Sequence, residues 1–165
     1  MAISFMRIDD RIIHGQVVTR WMSERDCDGV VAVDDAAASN PVLSKVLKTA
    51  VPQPLKAFVM TVDRTALKWK EITESKKKYF LIVKTPETLV KLYDEGADFI
   101  KEYHKLNVGP MSAREDAQKI GPNVSVTKEE IAAFDRLDQL GVEIEFKLVP
   151  DSKGYLWKDI KKNII

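Results

Sequence analysis

The chain has 165 residues, 45% of them apolar, and 26 Lys+Arg against 25 Asp+Glu give a net charge of +1; this suits one soluble domain over residues 1–165 with its own core, and it excludes disorder and a general nucleic-acid binder, which needs a basic excess. One cysteine, Cys27, and two histidines exclude a disulfide framework and a His/Cys-rich metal site. The longest apolar run, Tyr79–Val83, is five residues against the ~20 of a membrane span, and no charged stretch precedes a long apolar one at the N-terminus, so the expected compartment is the cytoplasm.

Ala2–Ile8 reads as a first strand, and Gly15–Asp26 as a helix with Val17, Val18, Trp21 and Met22 in one apolar stripe. Val30–Val33 is a short buried strand between Gly29 and Asp34-Asp35. Asn40 as N-cap and Pro41 at the first helical position open the next helix. Its stripe is Val42, Leu43, Val46, Leu47 and Ala50, and Pro52 and Pro54 stop it. Leu55–Val62 predicts a third strand, Asp63 the cap of a weakly patterned helix to Ser75, and Tyr79–Val83 a fourth strand. Thr85-Pro86 starts a helix that ends at Gly96. Phe99–Val108 is expected to be a fifth strand and Gly109–Asn123 a loop. Thr127 and Glu130 make a capping box, with Val126 and Ile131 as a staple, on a helix that ends at Gly141. Val142–Val149 is a sixth strand and Lys153–Ile165 a short terminal helix. This alternation predicts a doubly wound, three-layer α/β/α fold around a mainly parallel sheet of about six strands. Such folds bind ligands at the carboxyl ends of their strands, which directs attention to loops 9–14, 34–40, 62–64, 84–85 and 107–119.

The first of these loops carries the densest chemistry. Arg7-Ile8-Asp9-Asp10-Arg11-Ile12-Ile13-His14-Gly15-Gln16-Val17 lies where strand gives way to helix. It puts two carboxylates, a guanidinium and an imidazole within the six residues 9–14. His14 falls at a helix start, where free N–H groups favour an anion. A free imidazole titrates near ~6.5, so at neutral pH its lone pair is available to attack phosphorus. Arg11 can present its fork to the equatorial oxygens of a transferring phosphoryl group. Gly15 lets the backbone approach what His14 carries, and the amides around Gly15 and Gln16 can accept the remaining charge, so no metal or cofactor is called for. Asp9 or Asp10 can orient Arg11 or hold the other ring nitrogen as N–H, and spacing does not choose between them. A loop histidine beside surface ion pairs would mean little by itself; its place at a strand end and a helix start sets this one apart.

Elsewhere ordinary readings prevail. His104 would share a strand face with Leu106 and Val108 and reads as structural. Cys27 has no basic or CxxC partner and reads as inert. Trp21 reads as core, and Lys76-Lys77-Lys78 and Lys158, Lys161 and Lys162 as solvated faces.

The run from Arg7 to Val17 resembles the active-site motif of the IIB component of the bacterial phosphoenolpyruvate-dependent sugar phosphotransferase system, mannose/sorbose family. Asp34-Asp35-Ala36, Asn107-Val108-Gly109-Pro110-Met111 and Val124–Glu130 are similar to its later segments, so the likeness covers nearly the whole chain. The resemblance implies a phosphohistidine–sugar phosphotransferase of the cytoplasm that meets the membrane transiently. His14 would take a phosphoryl group at Nδ1 from a IIA phosphohistidine and deliver it to a sugar held by the membrane components IIC and IID. Arg11 and Asp9 match positions the family uses around the phosphate. Pro110 stands where members often carry a second glycine, and it has no N–H to offer. The rival class is a two-component receiver, phosphorylated on aspartate with a divalent cation held by Asp9-Asp10, with Asp63 and Lys84-Thr85 nearby. That pattern wants a lysine-proline after the fifth strand, where this chain has Asn107-Val108-Gly109-Pro110, and it leaves Arg11 and His14 idle.

Overall fold

Apolar runs of five or six residues between polar turns are too short to present a helix face, and they pair as strands buried on both sides. The computed structural model describes residues 1–165. Its strands are β1 (Ile3–Ile8), β2 (Gly29–Val33), β3 (Lys56–Met60), β4 (Tyr79–Val83), β5 (Lys105–Val108), β6 (Gln118–Gly121), β7 (Val124–Val126), β8 (Glu143–Phe146) and β9 (Tyr155–Leu156). Its helices are α1 (Gly15–Met22), α2 (Asp35–Ala38), α3 (Pro41–Thr49), α4 (Val62–Leu67), α5 (Trp69–Glu74), α6 (Pro86–Asp94), α7 (Phe99–Glu102), α8 (Lys128–Gln139) and α9 (Trp157–Ile160).

One seven-stranded sheet runs β3-β2-β4-β1-β5-β8-β9, with six strands parallel and β9 antiparallel to β8; β6 and β7 form a separate ribbon. The chain first moves one way from β1 to β2 and β3, then back the other way to β4, β5 and β8. Right-handed crossovers therefore put α1–α3 on one face and α4–α8 on the other. The two core clusters follow this division. Phe5, Val30, Ala32, Phe80 and Ile82 meet Val18, Trp21, Ala37 and Leu47 on the first face. Met6, Ile8, Val31, Leu81 and Val83 share the second with Leu89, Leu92, Phe99, Phe134 and Trp157. Ordinary alternation along β1 sets Phe5 on the first face and Met6 and Ile8 on the second, and the register shift between Ile3 and Phe5 puts Ile3 on the second face as well. A receiver-type sheet runs 2-1-3-4-5; the first five strands here run 3-2-4-1-5, which gives that alternative no support.

Local punctuation holds where its chemistry is local. Gly96 and Gly141 take positive φ, 103° and 95°, one residue past the C-caps of α6 and α8. The Thr127/Glu130 box closes with bonds of 2.9 and 3.1 Å. Several expectations are corrected. The third strand stops at Met60, and Thr61, not Asp63, caps α4; Lys68 then divides the expected helix into α4 and α5. The Asp98 side chain caps a single helical turn, so Phe99–Glu102 is α7 and the fifth strand starts only at Lys105. His104 is therefore an exposed loop residue off the strand. The expected loop 109–123 contains β6, paired with β7. The expected terminal helix begins as β9 and is helical only from Trp157. In α3 only Leu47 is fully buried; Val42 is 76% and Val46 57% exposed, because α3 packs over β3, the edge of the sheet, and part of its stripe overhangs.

Candidate functional site

At the carboxyl end of β1 the backbone is tied on both sides. The Asp9 N–H donates to the Val83 carbonyl at 2.9 Å and the Gly109 N–H to the Ile8 carbonyl at 2.8 Å. These bonds bring the ends of β1, β4 and β5 together, and the Lys147 N–H adds the end of β8 through the Val108 carbonyl at 2.9 Å.

Beneath them lies Arg7, 1% exposed. Its Nε and Nη2 donate to Asp9 Oδ2 at 3.2 and 3.0 Å, and its Nη1 donates to Asn107 Oδ1 and to the Lys147 carbonyl. The Asn107 amide donates to the same carbonyl at 3.0 Å, and the guanidinium carbon lies 5.9 Å from the centre of the Trp21 ring. Burial pushes the Arg7 pKa down, while the charge and hydrogen bond of Asp9, and then Asp10, oppose this. A guanidinium keeps its proton in proteins, so the buried charge requires its buried partner, Asp9, which is 2% exposed. Gly109 completes the packing: a Cβ there would overlap the Arg7 guanidinium.

The second Asp9 oxygen, Oδ1, accepts the Arg11 backbone N–H at 3.0 Å, and the Asp9 carbonyl accepts the Ile12 N–H at 2.9 Å. The chain thus turns over residues 9–12. Ile12 stands at φ 61°, a left-handed conformation that costs a β-branched residue roughly 1–2 kcal/mol. Burial of Ile12 and Ile13 in the core under α1 holds the turn in place.

His14 emerges from this turn as the N-cap of α1, half-buried, with φ −110° and ψ 107°. No side chain caps the helix and no acidic residue stands in its first turn. The positive end of α1 is left to an outside acceptor. Arg11 and Gln16 are exposed, and no hydrogen bond or ion pair engages the Arg11 guanidinium. Neither Asp9 nor Asp10 bonds to the Arg11 guanidinium or to the His14 ring. Asp9 serves Arg7 and the backbone; Asp10 accepts the Ser112 N–H at 3.2 Å and its hydroxyl at 2.5 Å, which pins the later loop to the first. Gly15 has a packing requirement of its own, since a Cβ would stand 2.8 Å from the Ala50 carbonyl oxygen. Pro110 lies between two amides that are already engaged, Gly109 on Ile8 and Met111 on the Asn123 carbonyl at 2.9 Å.

The other loops do structural work. Asp34 caps α2 through the Ala37 N–H at 3.0 Å, and Asp35 accepts the Val62 N–H at 2.8 Å. Burial pushes the Cys27 thiol up to about 11, in keeping with an unreactive cysteine. The residues not assigned a role from sequence are Arg7, Asn107 and Gly109. The available signal is Arg7 itself, a charge near the end of a largely apolar strand, which must find a partner if buried.

The family model described as PTS system sorbose subfamily IIB component matches residues 3–164. A sorbose-specific EIIB component of Lacticaseibacillus casei is 30% identical over 90% of this chain and 88% of its own length. A mannose-specific EIIAB component of Escherichia coli K12 is also 30% identical over 90% of this chain, which covers 45% of that longer protein. Among solved structures, the IIBSor domain of the sorbose permease from Klebsiella pneumoniae is similar with a TM-score of 0.90 at 25% identity, over 100% of this chain and 99% of that one.

Proposed function

The chain belongs to the sorbose subfamily of IIB components of the sugar phosphotransferase system, a family of phosphocarriers, and from that membership we propose that His14 is the residue that carries the phosphoryl group. The supporting observation is its position: an imidazole at the uncapped, acid-free start of α1, beside an arginine with no other partner. Nδ1 of His14 attacks the phosphorus of a IIA phosphohistidine; the donor P–N bond breaks as the new one forms. In the second transfer a sugar hydroxyl oxygen takes the phosphorus, its proton is released, and the imidazole lone pair returns to His14. Arg11 meets charge on the equatorial oxygens in both steps. Amides at Gly15 and Gln16 accept the rest, and Asp9, held by Arg7, fixes the turn that aims the ring. The resting phosphoenzyme must be held only moderately, because stabilisation helps transfer only where it is greater in the transition state.

A IIA phosphocarrier is the donor in this reading, in line with the relative whose name joins A and B components in one chain. The acceptor complex is formed by IIC and IID at the inner face of the membrane, which the protein visits from the cytoplasm; no helix of its own is long and apolar enough to cross it.

The test is phosphorylation by phosphoenolpyruvate with the general components and a IIA partner. Wild type takes up one acid-labile, hydroxylamine-stable phosphoryl group, and His14→Ala takes up none while melting as wild type does. A label in His14→Ala, or one cleaved by hydroxylamine, would remove His14 from the reaction.

A further inference from the structure

Strand β3 is one of the two edges of the sheet, and on its α5 side it is only partly covered. Phe58 keeps 42% of its surface exposed, and a cavity of about 380 Å³ opens between β3 and α5. That volume lies within the ~300–1,000 Å³ of small-molecule sites. Its floor is apolar, with Phe58, Ile72 and Tyr79 among its walls; the Tyr79 ring meets Phe58 edge-on at 6.4 Å. Lys48, Arg64 and Lys68 line the same space with one acid, Glu71. Lys68 pairs with Glu71 at 3.1 Å, and no ion pair engages Lys48 or Arg64. Three cations less one carboxylate leave two positive charges around an aromatic platform. None of these residues belongs to the His14 loop.

We propose that this groove binds a nucleoside phosphate, with the base on Phe58 and the phosphate between Lys48, Arg64 and Lys68. The cations call for an anion. The apolar floor selects what carries it. A flat base gains by stacking on an aromatic ring without needing hydrogen-bond partners, and the floor formed by Phe58 and Ile72 offers none, the Ser75 hydroxyl beside it already donating to the Ile72 carbonyl at 2.9 Å. A hydroxylated sugar ring would lose water there and find little in return. The inference goes beyond the phosphocarrier reading and does not depend on it.

The test is titration calorimetry of the full unphosphorylated chain with ADP, adenosine, glucose 6-phosphate and inorganic phosphate, in the presence of a chelator. ADP binds saturably with one-to-one stoichiometry, and each of the other three binds at least about tenfold more weakly. Phe58→Ala and Arg64→Gln each weaken ADP by about tenfold, with far-ultraviolet circular dichroism confirming the fold, while His14→Ala binds as wild type does. The proposal is overturned by an absence of saturable ADP binding, by glucose 6-phosphate or phosphate binding as tightly as ADP, or by wild-type affinity in both groove variants. Loss of binding in His14→Ala would also overturn it, by placing the nucleotide in the other site.

Discussion

Arg7, near the end of β1, and Arg11, in the loop that follows, stand four positions apart and occupy opposite situations. Arg7 is buried, paired with Asp9, bonded to Asn107 and the Lys147 carbonyl, and backed by the bare Cα of Gly109. Arg11 is exposed, and only its backbone is engaged. The first ties together chain ends from β1, β5 and β8, so the turn is formed before any phosphate arrives. The second keeps its donors for whatever comes. Burying a charge is costly without a full set of partners, so the chain invests in one such group at the root of the loop and leaves the rim unsaturated. A carrier that must accept and then release the same group has reason to be built this way: geometry is fixed in advance, and the groups proposed to meet phosphate form no competing bonds within the protein.

The sharpest way to break the comparison is at the root. Arg7→Ala strands the Asp9 carboxylate in the interior, and the loss of one partner from a buried pair costs about 3–5 kcal/mol. Urea unfolding should show it as a fall in midpoint at unchanged slope; a loss under about 1 kcal/mol would mean the pair is not the anchor the geometry describes. At the rim the effect moves from stability to rate. Arg11→Ala should unfold within about 0.5 kcal/mol of wild type, yet slow single-turnover phosphoryl transfer from a IIA partner by about 10²–10³-fold in both directions, the scale of losing one oxyanion donor. Unchanged transfer would end its assigned role.

The contrast also explains what could be read from the chain alone. Strands β1, β2 and β4 announce themselves because burial on both faces makes them continuous apolar runs, and Asn40, Gly96, Thr127 and Gly141 punctuate helices by chemistry confined to a few residues. The rim was legible for the same reason: His14 and Arg11 stand in one short stretch at a strand-to-helix junction. The root was not. Arg7 meets Asn107 across 100 positions, and that meeting follows from β1 and β5 being neighbours, which no local pattern encodes. Short elements were lost in the same way. Turn α7 and strand β6 are four residues each, too brief for a period to show. The stripe of α3 overstates its burial because amphipathicity tells which residues share a face, not whether the sheet extends far enough to cover it.

Gly109 tests whether the root is a fitted unit. Gly109→Ala sets a methyl group into the Arg7 guanidinium, and relief requires Arg7 to leave bonded positions, for a cost of about 1–3 kcal/mol. In an Arg7→Ala background the same change loses the clash with the guanidinium and keeps only the 3.2 Å approach to the Ile8 carbonyl oxygen. The two substitutions should therefore be strongly non-additive in a double-mutant cycle. Additive losses would show that Gly109 is required by its backbone and not by its neighbour.

The smallest effect lies where root and rim meet. Ser112 donates both its amide and its hydroxyl to Asp10 at the surface, so Ser112→Ala removes one exposed hydrogen bond, worth about 0.5–1.5 kcal/mol at most. Its consequence should be local. Amide hydrogen exchange should quicken at Ser112 and Ala113, before Arg114 ties the loop to Glu130 and the Ser125 carbonyl, while the amides of Asp9 and Gly109, held by the sheet ends, exchange as before. Ser112→Thr keeps the hydroxyl and should restore protection. If exchange instead quickened at Asp9 and Gly109 as well, the later loop would be part of the anchor, and the boundary between the fixed and the free halves of the site would have to be drawn further out.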